Sequence, residues 1–224
     1  MQQRSNKNRV MIMESNPQSP ICEAYRTLRV NIDFSTVGLE KKTLMVTSAQ
    51  AAEGKTTTAS NLAIAYSQSE KRVLLVDADM RNATLHQFFN QDNRIGLSNL
   101  LAGQYNAQEL VVETHIPRLD LLTSGPLPPN PSELLSSERW AQFVDYARTN
   151  YDVVIFDTPP ALTLPDAQLV AGQCGGVLIV VKAGKVKREV VKKLKTNLEY
   201  AQARILGVVL NHMNRKEAAL HAYR

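Results

Sequence analysis

The sequence predicts one α/β domain built on a mainly parallel sheet with helices on both faces. Three observations predict it. Short runs that are apolar throughout, such as "VLLV" at 73–76 and "GVLIVV" at 176–181, alternate with longer amphipathic stretches. Strands buried on both faces read this way, and their alternation with helices makes the sheet parallel. Several runs end on charged residues, as "VVIFD" does at 153–157 before the break "TPP", and such sheets bind ligands beyond their C-terminal strand ends. Finally, 224 residues suffice for one sizeable core.

Taken in order, residues 1–19 are polar and read as a flexible arm ending at "NPQSP". From 22 to 34, Ala24, Tyr25, Leu28 and Ile32 fall at helical spacing. "TLMVTS" at 43–48 is a strand, and 55–69 a helix with Ala59, Leu62, Ala63 and Tyr66 on one face. "RVLLVDAD" at 72–79 is a strand that runs into two aspartates, and "LDLLTS" at 119–124 is a third strand. Four prolines in "SGPLPPNPS" at 124–132 exclude a regular helix or central strand there. Residues 136–150 form a helix with Trp140, Phe143, Val144 and Ala147 facing the core. Strands at 151–157, 175–181 and 204–211 and a basic helix at 187–200 complete the domain. The domain is expected over 20–213, with 214–224 a short tail that carries Tyr223.

Composition narrows the function classes. No apolar run approaches the roughly 18 residues a membrane helix needs, and the N-terminus lacks the apolar stretch of a secretory signal. Cys22 and Cys174 have no C-x-x-C spacing and read as reduced thiols, and the four histidines show no metal-ligand spacing. The net charge is +5, with Lys182, Lys185, Lys187, Arg188, Lys192, Lys193 and Lys195 crowded together against Glu189 alone. That face is either a solvated helix surface or a contact for an acidic partner or anionic surface. Nucleic acid is not expected, because no aromatic side chains interleave as stacking platforms.

The chemistry gathers at the strand ends. "EGKTT" at 53–57 follows a strand and opens a helix, where backbone N–H groups and the helix dipole suit a triphosphate. Lys55 supplies charge for the β- and γ-phosphates, and the Thr56 hydroxyl is a ligand for Mg2+. Asp157, closing a hydrophobic strand, is placed to hold a magnesium-bound water. Asp77, Asp79 and Arg81 alternate in "VLLVDADMR". A second acidic pair beside magnesium suits extra metal ligation or a general base for a hydroxyl acceptor. The competing reading has Asp77 merely capping the next turn, and Arg81 either at the surface or neutralising the acidic cluster.

These motifs resemble the bacterial tyrosine kinase family, the P-loop kinases of capsule and exopolysaccharide synthesis. Ser48, Glu53, Gly54, Lys55 and Thr56 match its Walker A region, "LLVDADMR" its Walker A′, and "VIFDTPP" its Walker B. "SGPLPPNPSELL" matches its proline loop, and "EAYRTLR", with Glu23, Arg26 and Arg29, its oligomerisation motif. The resemblance implies a P-loop NTPase fold and an ATP- and Mg2+-dependent protein-tyrosine kinase that autophosphorylates in trans. It implies catalytic roles for Lys55, Asp77, Asp79 and Asp157, with Asp77 as the base. It implies nucleotide contacts from Glu53, Gly54, Lys55, Thr56, Thr57 and Asn211, and metal contacts from Thr56, Asp79 and Asp157. It further implies a homo-oligomeric ring joined through Glu23, Arg26 and Arg29, protein-tyrosine substrates, and phosphorylation of Tyr223. A transmembrane activator of the polysaccharide export system would recruit the cytoplasmic chain to the inner face of the plasma membrane. On residues alone, Glu23, Arg26 and Arg29 share a helix face that can also pair within itself.

The chain departs from the family at two places. Ala51 and Ala52 stand where Pro-Gly is usual, and one tyrosine, Tyr223, stands where a cluster is usual. If position 52 is left-handed, alanine costs roughly 1–2 kcal/mol there; at negative φ it costs nothing. Two other readings compete: a deviant-Walker partitioning or division switch, which usually carries a lysine where this chain has Gln50, and an ATP-gated non-catalytic scaffold.

Overall fold

The structure, a computed structural model, describes residues 11–38 and 42–213. The chain opens with α1 (Ile12–Ser15) and α2 (Pro20–Ser35), then β1 (Lys42–Ser48), α3 (Lys55–Ser67) and β2 (Val73–Asp77). Three short helices follow, α4 (Leu85–Phe88), α5 (Leu97–Leu101) and α6 (Ala107–Leu110), then β3 (Val112–Glu113) and β4 (Leu119–Leu122). The second half holds α7 (Pro131–Leu135), α8 (Glu138–Asn150), β5 (Val153–Asp157), α9 (Asp166–Ala171), β6 (Gly176–Lys182), α10 (Arg188–Tyr200) and β7 (Ile205–Asn211). Each strand and long helix foreseen from the sequence lies within two residues of its expected bounds.

The sheet order is β3-β4-β2-β5-β1-β6-β7. Every described pairing is parallel except β3 with β4. This order places β5 between β2 and β1, so the loop after β1 abuts the ends of both aspartate-bearing strands. Asp77 of β2 is in register with Asp157 of β5. Strand neighbours lie about 4.8 Å apart, so the two carboxylates leave the sheet side by side on one face.

Strand side chains alternate between two cores. Leu44, Val46, Leu75, Ile155 and Val180 meet α1 to α3 on one face, and Met45, Leu74, Val76, Phe156 and Ile179 meet α5 to α10 on the other. Trp140 stacks edge-on against Phe156, 5.3 Å between ring centres, and anchors α8 to β5.

Four local expectations need correction. Residues 11–16 are not part of a loose arm: Met13 is fully buried and its N–H donates to Asn61 Oδ1 at 3.0 Å. Two methionines suffice to hold a segment that reads as polar overall. Helix α7 starts inside the proline loop, because Pro131 occupies its first turn, where a missing N–H costs nothing. Helix α8 starts at Glu138 instead of 136, because the Ser137 hydroxyl caps it by accepting from the Trp140 N–H. Strand β2 stops at Asp77 because that side chain folds the chain back on itself, as described next.

Candidate functional site at the strand ends

The loop between β1 and α3 is held from three sides. Glu53 is buried: its Oε1 accepts the Gln50 N–H at 2.5 Å, and its Oε2 accepts the Lys182 N–H at 3.2 Å, tying the loop to the end of β6. Asn211, at the end of β7, donates from Nδ2 to the Glu53 carbonyl at 2.9 Å. Gly54 begins α3 at φ 97°, and a Cβ there would sit 1.9 Å from Asn211 Nδ2. Both the backbone conformation and the close approach require glycine. The loop's amides, with Lys55, Thr56 and Thr57 in the first turn of α3, therefore converge on the space beyond the sheet.

Ala52 adopts φ 61°. The alanine therefore bears the left-handed cost of roughly 1–2 kcal/mol, offset only by the smaller unfolded-state entropy of alanine relative to glycine. Ala52→Gly should raise the thermal midpoint by about 1–4 °C, from a net gain of about 0.5–1 kcal/mol. An unchanged or lower midpoint in a calorimetric scan would show that the loop relaxes without strain.

Lys55 lies in the acidic cluster. Its Nζ is 2.9 Å from Asp79 Oδ2 and 3.9 Å from Asp157 Oδ1. Burial works against its charge, but Asp157 and Asp79 outweigh burial and hold its pKa above the ordinary lysine value. Asp157 is 0% exposed, and among the described residues neither of its carboxylate oxygens has a partner at hydrogen-bond geometry. Burial pushes its pKa up to about 6, against the pull of Lys55 and of the nearby Thr56 hydroxyl. Asp77 is equally buried, and burial, with the Asp157 charge next to it, raises its pKa to about 8.

The geometry of Asp77 is that of a turn cap. Its Oδ1 accepts the Asp79 N–H at 3.2 Å, and its Oδ2 accepts the N–H groups of Thr84 and Leu85, each at 3.0 Å. These bonds end β2, so Asp79 sits in a turn and not on the strand. It still faces Lys55, while its Oδ1 accepts the Asn82 N–H at 3.0 Å. A carboxylate offers about four lone-pair sites, so one on Asp77 is uncommitted.

A cation fits this site. The orphaned, dehydrated oxygens of Asp157 are the kind of group that calls for a hydrated ion or a second charge. Among the described residues, no three His, Cys, Asp or Glu side chains gather to hold a metal by themselves. That suits magnesium, which typically takes one or two carboxylates plus phosphate oxygens, with the Thr56 hydroxyl at the start of α3.

Sequence reasoning missed one functional-looking cluster. Arg81 makes no hydrogen bond to Asp77 or Asp79 among the described residues, although it feels the charge of Asp79. It turns to Asp166 at the start of α9, with Nε donating to Oδ2 at 2.7 Å and Nη2 to Oδ1 at 3.3 Å. Ser132, from the proline loop, donates to Asp166 Oδ1 at 2.5 Å. Burial opposes ionisation of Asp166, but Arg81 and Ser132 overcome it and hold the carboxyl below its usual range. The signal available was Asp166 in "LPDA", an acidic residue in a helix first turn; nothing local names Arg81 as its partner. Asp166→Ala leaves Arg81 without its acceptor and should cost about 1–3 kcal/mol, read as a lower urea midpoint at unchanged slope. A midpoint equal to that of the parent would mean the link contributes nothing.

The other expected residues divide. Glu23 and Arg26 of α2 pair with each other, and Arg26 also donates to the Pro17 carbonyl at 3.1 Å. Among the described residues, Arg29 Nε is buried with no hydrogen-bond partner, and none of the three is bonded to the strand-end cluster. Tyr223 lies outside the described residues. Among the described residues, no helix is long and apolar enough to cross a membrane.

Comparison with known proteins places this arrangement. The AAA domain family matches residues 41–210. The tyrosine-protein kinase YwqD of Bacillus subtilis is 42% identical over 207 residues, covering 92% of this chain and 87% of that one. The putative tyrosine-protein kinase CapB of Staphylococcus aureus is 38% identical, covering 91% of this chain and 89% of that one. The crystallised kinase domain of the Escherichia coli tyrosine kinase ETK superposes with a TM-score of 0.89 at 34% identity, covering 96% of this chain and 86% of that domain.

Proposed function

The chain belongs to the bacterial tyrosine kinase family and is a protein-tyrosine kinase; from that premise we propose that its strand-end cluster transfers the γ-phosphate of ATP to tyrosine, including, in trans, Tyr223. Of the three readings open from the motifs, the kinase is the one its relatives share. The observation that carries the site assignment is Lys55 held 2.9 Å from Asp79 and 3.9 Å from an Asp157 whose oxygens have no hydrogen-bond partner among the described residues.

In this reading the amides of the loop, including those of Gly54, Lys55, Thr56 and Thr57, bind the phosphates, and Glu53 and Asn211 keep the loop in shape. Lys55 leaves its carboxylates to meet the β- and γ-phosphates, where its charge stabilises the in-line transfer. Thr56, Asp79 and Asp157 would hold magnesium, which neutralises charge on the phosphates when bound. The tyrosine oxygen bonds to the γ-phosphorus, the bond to the β–γ bridging oxygen breaks, and ADP leaves. The phenolic proton passes to Asp77, whose raised proton affinity and one uncommitted lone pair suit a base. Asp77 is closed to solvent, so the substrate hydroxyl reaches it only if the turn at 79–84 opens.

The cellular role belongs to the same proposal. The kinase controls capsular or exopolysaccharide synthesis and export, acts as a cytoplasmic ring joined through Glu23, Arg26 and Arg29, and is recruited to the inner membrane face by a transmembrane activator. The α2 pairing of Glu23 with Arg26 must then rearrange or be shared at the ring contact.

The test is intact and tandem mass spectrometry after incubation with Mg-ATP at high protein concentration, with and without an activator's cytoplasmic tail. Phosphate on Tyr223 is expected. ATP binding without phosphotyrosine under both conditions would remove the catalytic assignment.

A further inference from the structure

Among the described residues, positive charge is segregated. Residues 185–199 hold Lys185, Lys187, Arg188, Lys192, Lys193 and Lys195 against Glu189 and Glu199. The rest of the described residues together carry net negative charge. All six cations are exposed, and only Lys195 forms an ion pair, 3.3 Å from Glu199, among the described residues. The apolar side of α10 is already used: Leu194 and Leu198 are buried, and Val190 and Val191 pack against the core. At 100° per residue, Arg188, Lys192 and Lys195 form one stripe with Glu199 within it, and Lys193 lies about 100° further round the helix, beyond Glu189. The helix therefore meets its surroundings mainly through charge, with Thr196 and Tyr200 also exposed.

We propose that the outer face of α10, with the preceding loop, is an electrostatic docking surface for an anionic lipid bilayer. Three observations select a bilayer over other acidic partners. The patch has five lysines and one arginine. Lysine is a hydrated point charge suited to diffuse attraction, whereas recognition of individual carboxylates favours the arginine fork. The larger cavities described lie away from this face, about 410 Å³ beside Arg94 and Glu109 and about 530 Å³ between α2 and β7. Without a groove nothing aligns an acidic peptide, but a plane of headgroups needs none. Tyr200 projects from the end of the same helix at 84% exposure, and tyrosine is enriched where protein meets headgroups. The surface is independent of the phosphotransfer site, and of any recruitment by a partner protein.

The test is sedimentation of the purified full chain with phosphatidylcholine vesicles, with and without about one quarter phosphatidylglycerol. Each basic residue near such a surface contributes about fivefold in affinity. The protein should sediment with the anionic vesicles only and be released at about 0.5 M salt, where the screening length is a few ångströms. K185E/K192E/K193E should bind at least about 100-fold more weakly, with an unchanged thermal midpoint and unchanged kinase activity in solution. Reversing Lys71 and Arg94, exposed cations away from α10, should have much less effect. The proposal is overturned by equal binding to neutral vesicles or equal losses in the two variants. It is also overturned by no vesicle binding with retention on polyglutamate, which would assign the face to an acidic protein. Stronger salt-sensitive binding to duplex DNA than to the vesicles would likewise overturn it.

Discussion

Lys55→Met lowers phosphotyrosine formation by about 100- to 1,000-fold, the loss typical of removing one fixed charge-stabilising group from a transition state. It also destabilises the ligand-free protein, which an activity assay alone does not reveal. Lys55 is the cation opposite Asp79 and Asp157, and both carboxylates are almost fully buried. Removing one partner of a buried ion pair costs about 3–5 kcal/mol, because the other charge is left uncompensated. Asp157, whose pKa burial raises to about 6, can escape part of that cost by taking up a proton. The deficit should therefore be largest at pH 8 and smaller near pH 5. Urea melts at the two pH values measure it, beside mass spectrometry for the activity. Equal stability of parent and variant at pH 8 would show that the cluster is not charged as described.

Asp157→Asn should lower activity by a similar factor while acting on stability with a sign that depends on pH. The folded-state pKa of Asp157, about 6, lies above the ordinary carboxylate value of 3.8. The folded protein thus holds this proton more tightly than the unfolded chain does. The resulting contribution favours the fold below about pH 4 and is lost as pH rises through about 6. At pH 8 the ionised group costs about 3 kcal/mol. The amide cannot titrate, but it is a buried polar group short of partners, at about 1–3 kcal/mol. The variant should be less stable than the parent near pH 4 and equal or more stable at pH 8. Asp77, raised toward 8 by burial and by Asp157, adds to the parent's decline and is relieved in the variant. Stability curves that run parallel across this range would count against the buried, desolvated state of Asp157.

Both effects depend on residues whose type and strand-end position could be read directly from the sequence, but whose partners could not. "EGKTT" and "VVIFD" announce a phosphate loop and an acidic strand end because each is a local pattern. The stretch from 80 to 118 was opaque, since α4, α5, α6 and β3 are two to five residues long and too short to show a period. The α1 segment was missed because its apolar run, Met11 to Met13, is only three residues long within the described chain and sits among polar neighbours. The left-handed state of Ala52 was posed as a question by the sequence, because alanine itself prefers the other hand.

Local pattern carries the alternation of strands and helices, the loop before α3, and the residue types near the strand ends. Those features depend on neighbours a few residues apart. It took the packed fold to show that Asp77 lies beside Asp157, that Asp77 caps its own turn, that Lys55 reaches Asp79, and that Arg81 chooses Asp166. The order β2-β5-β1 brings together residues up to 102 positions apart, and their burial in one dehydrated corner sets their charge states. Proximity across a sheet and exclusion of water are properties of the packed chain, and no local pattern encodes them.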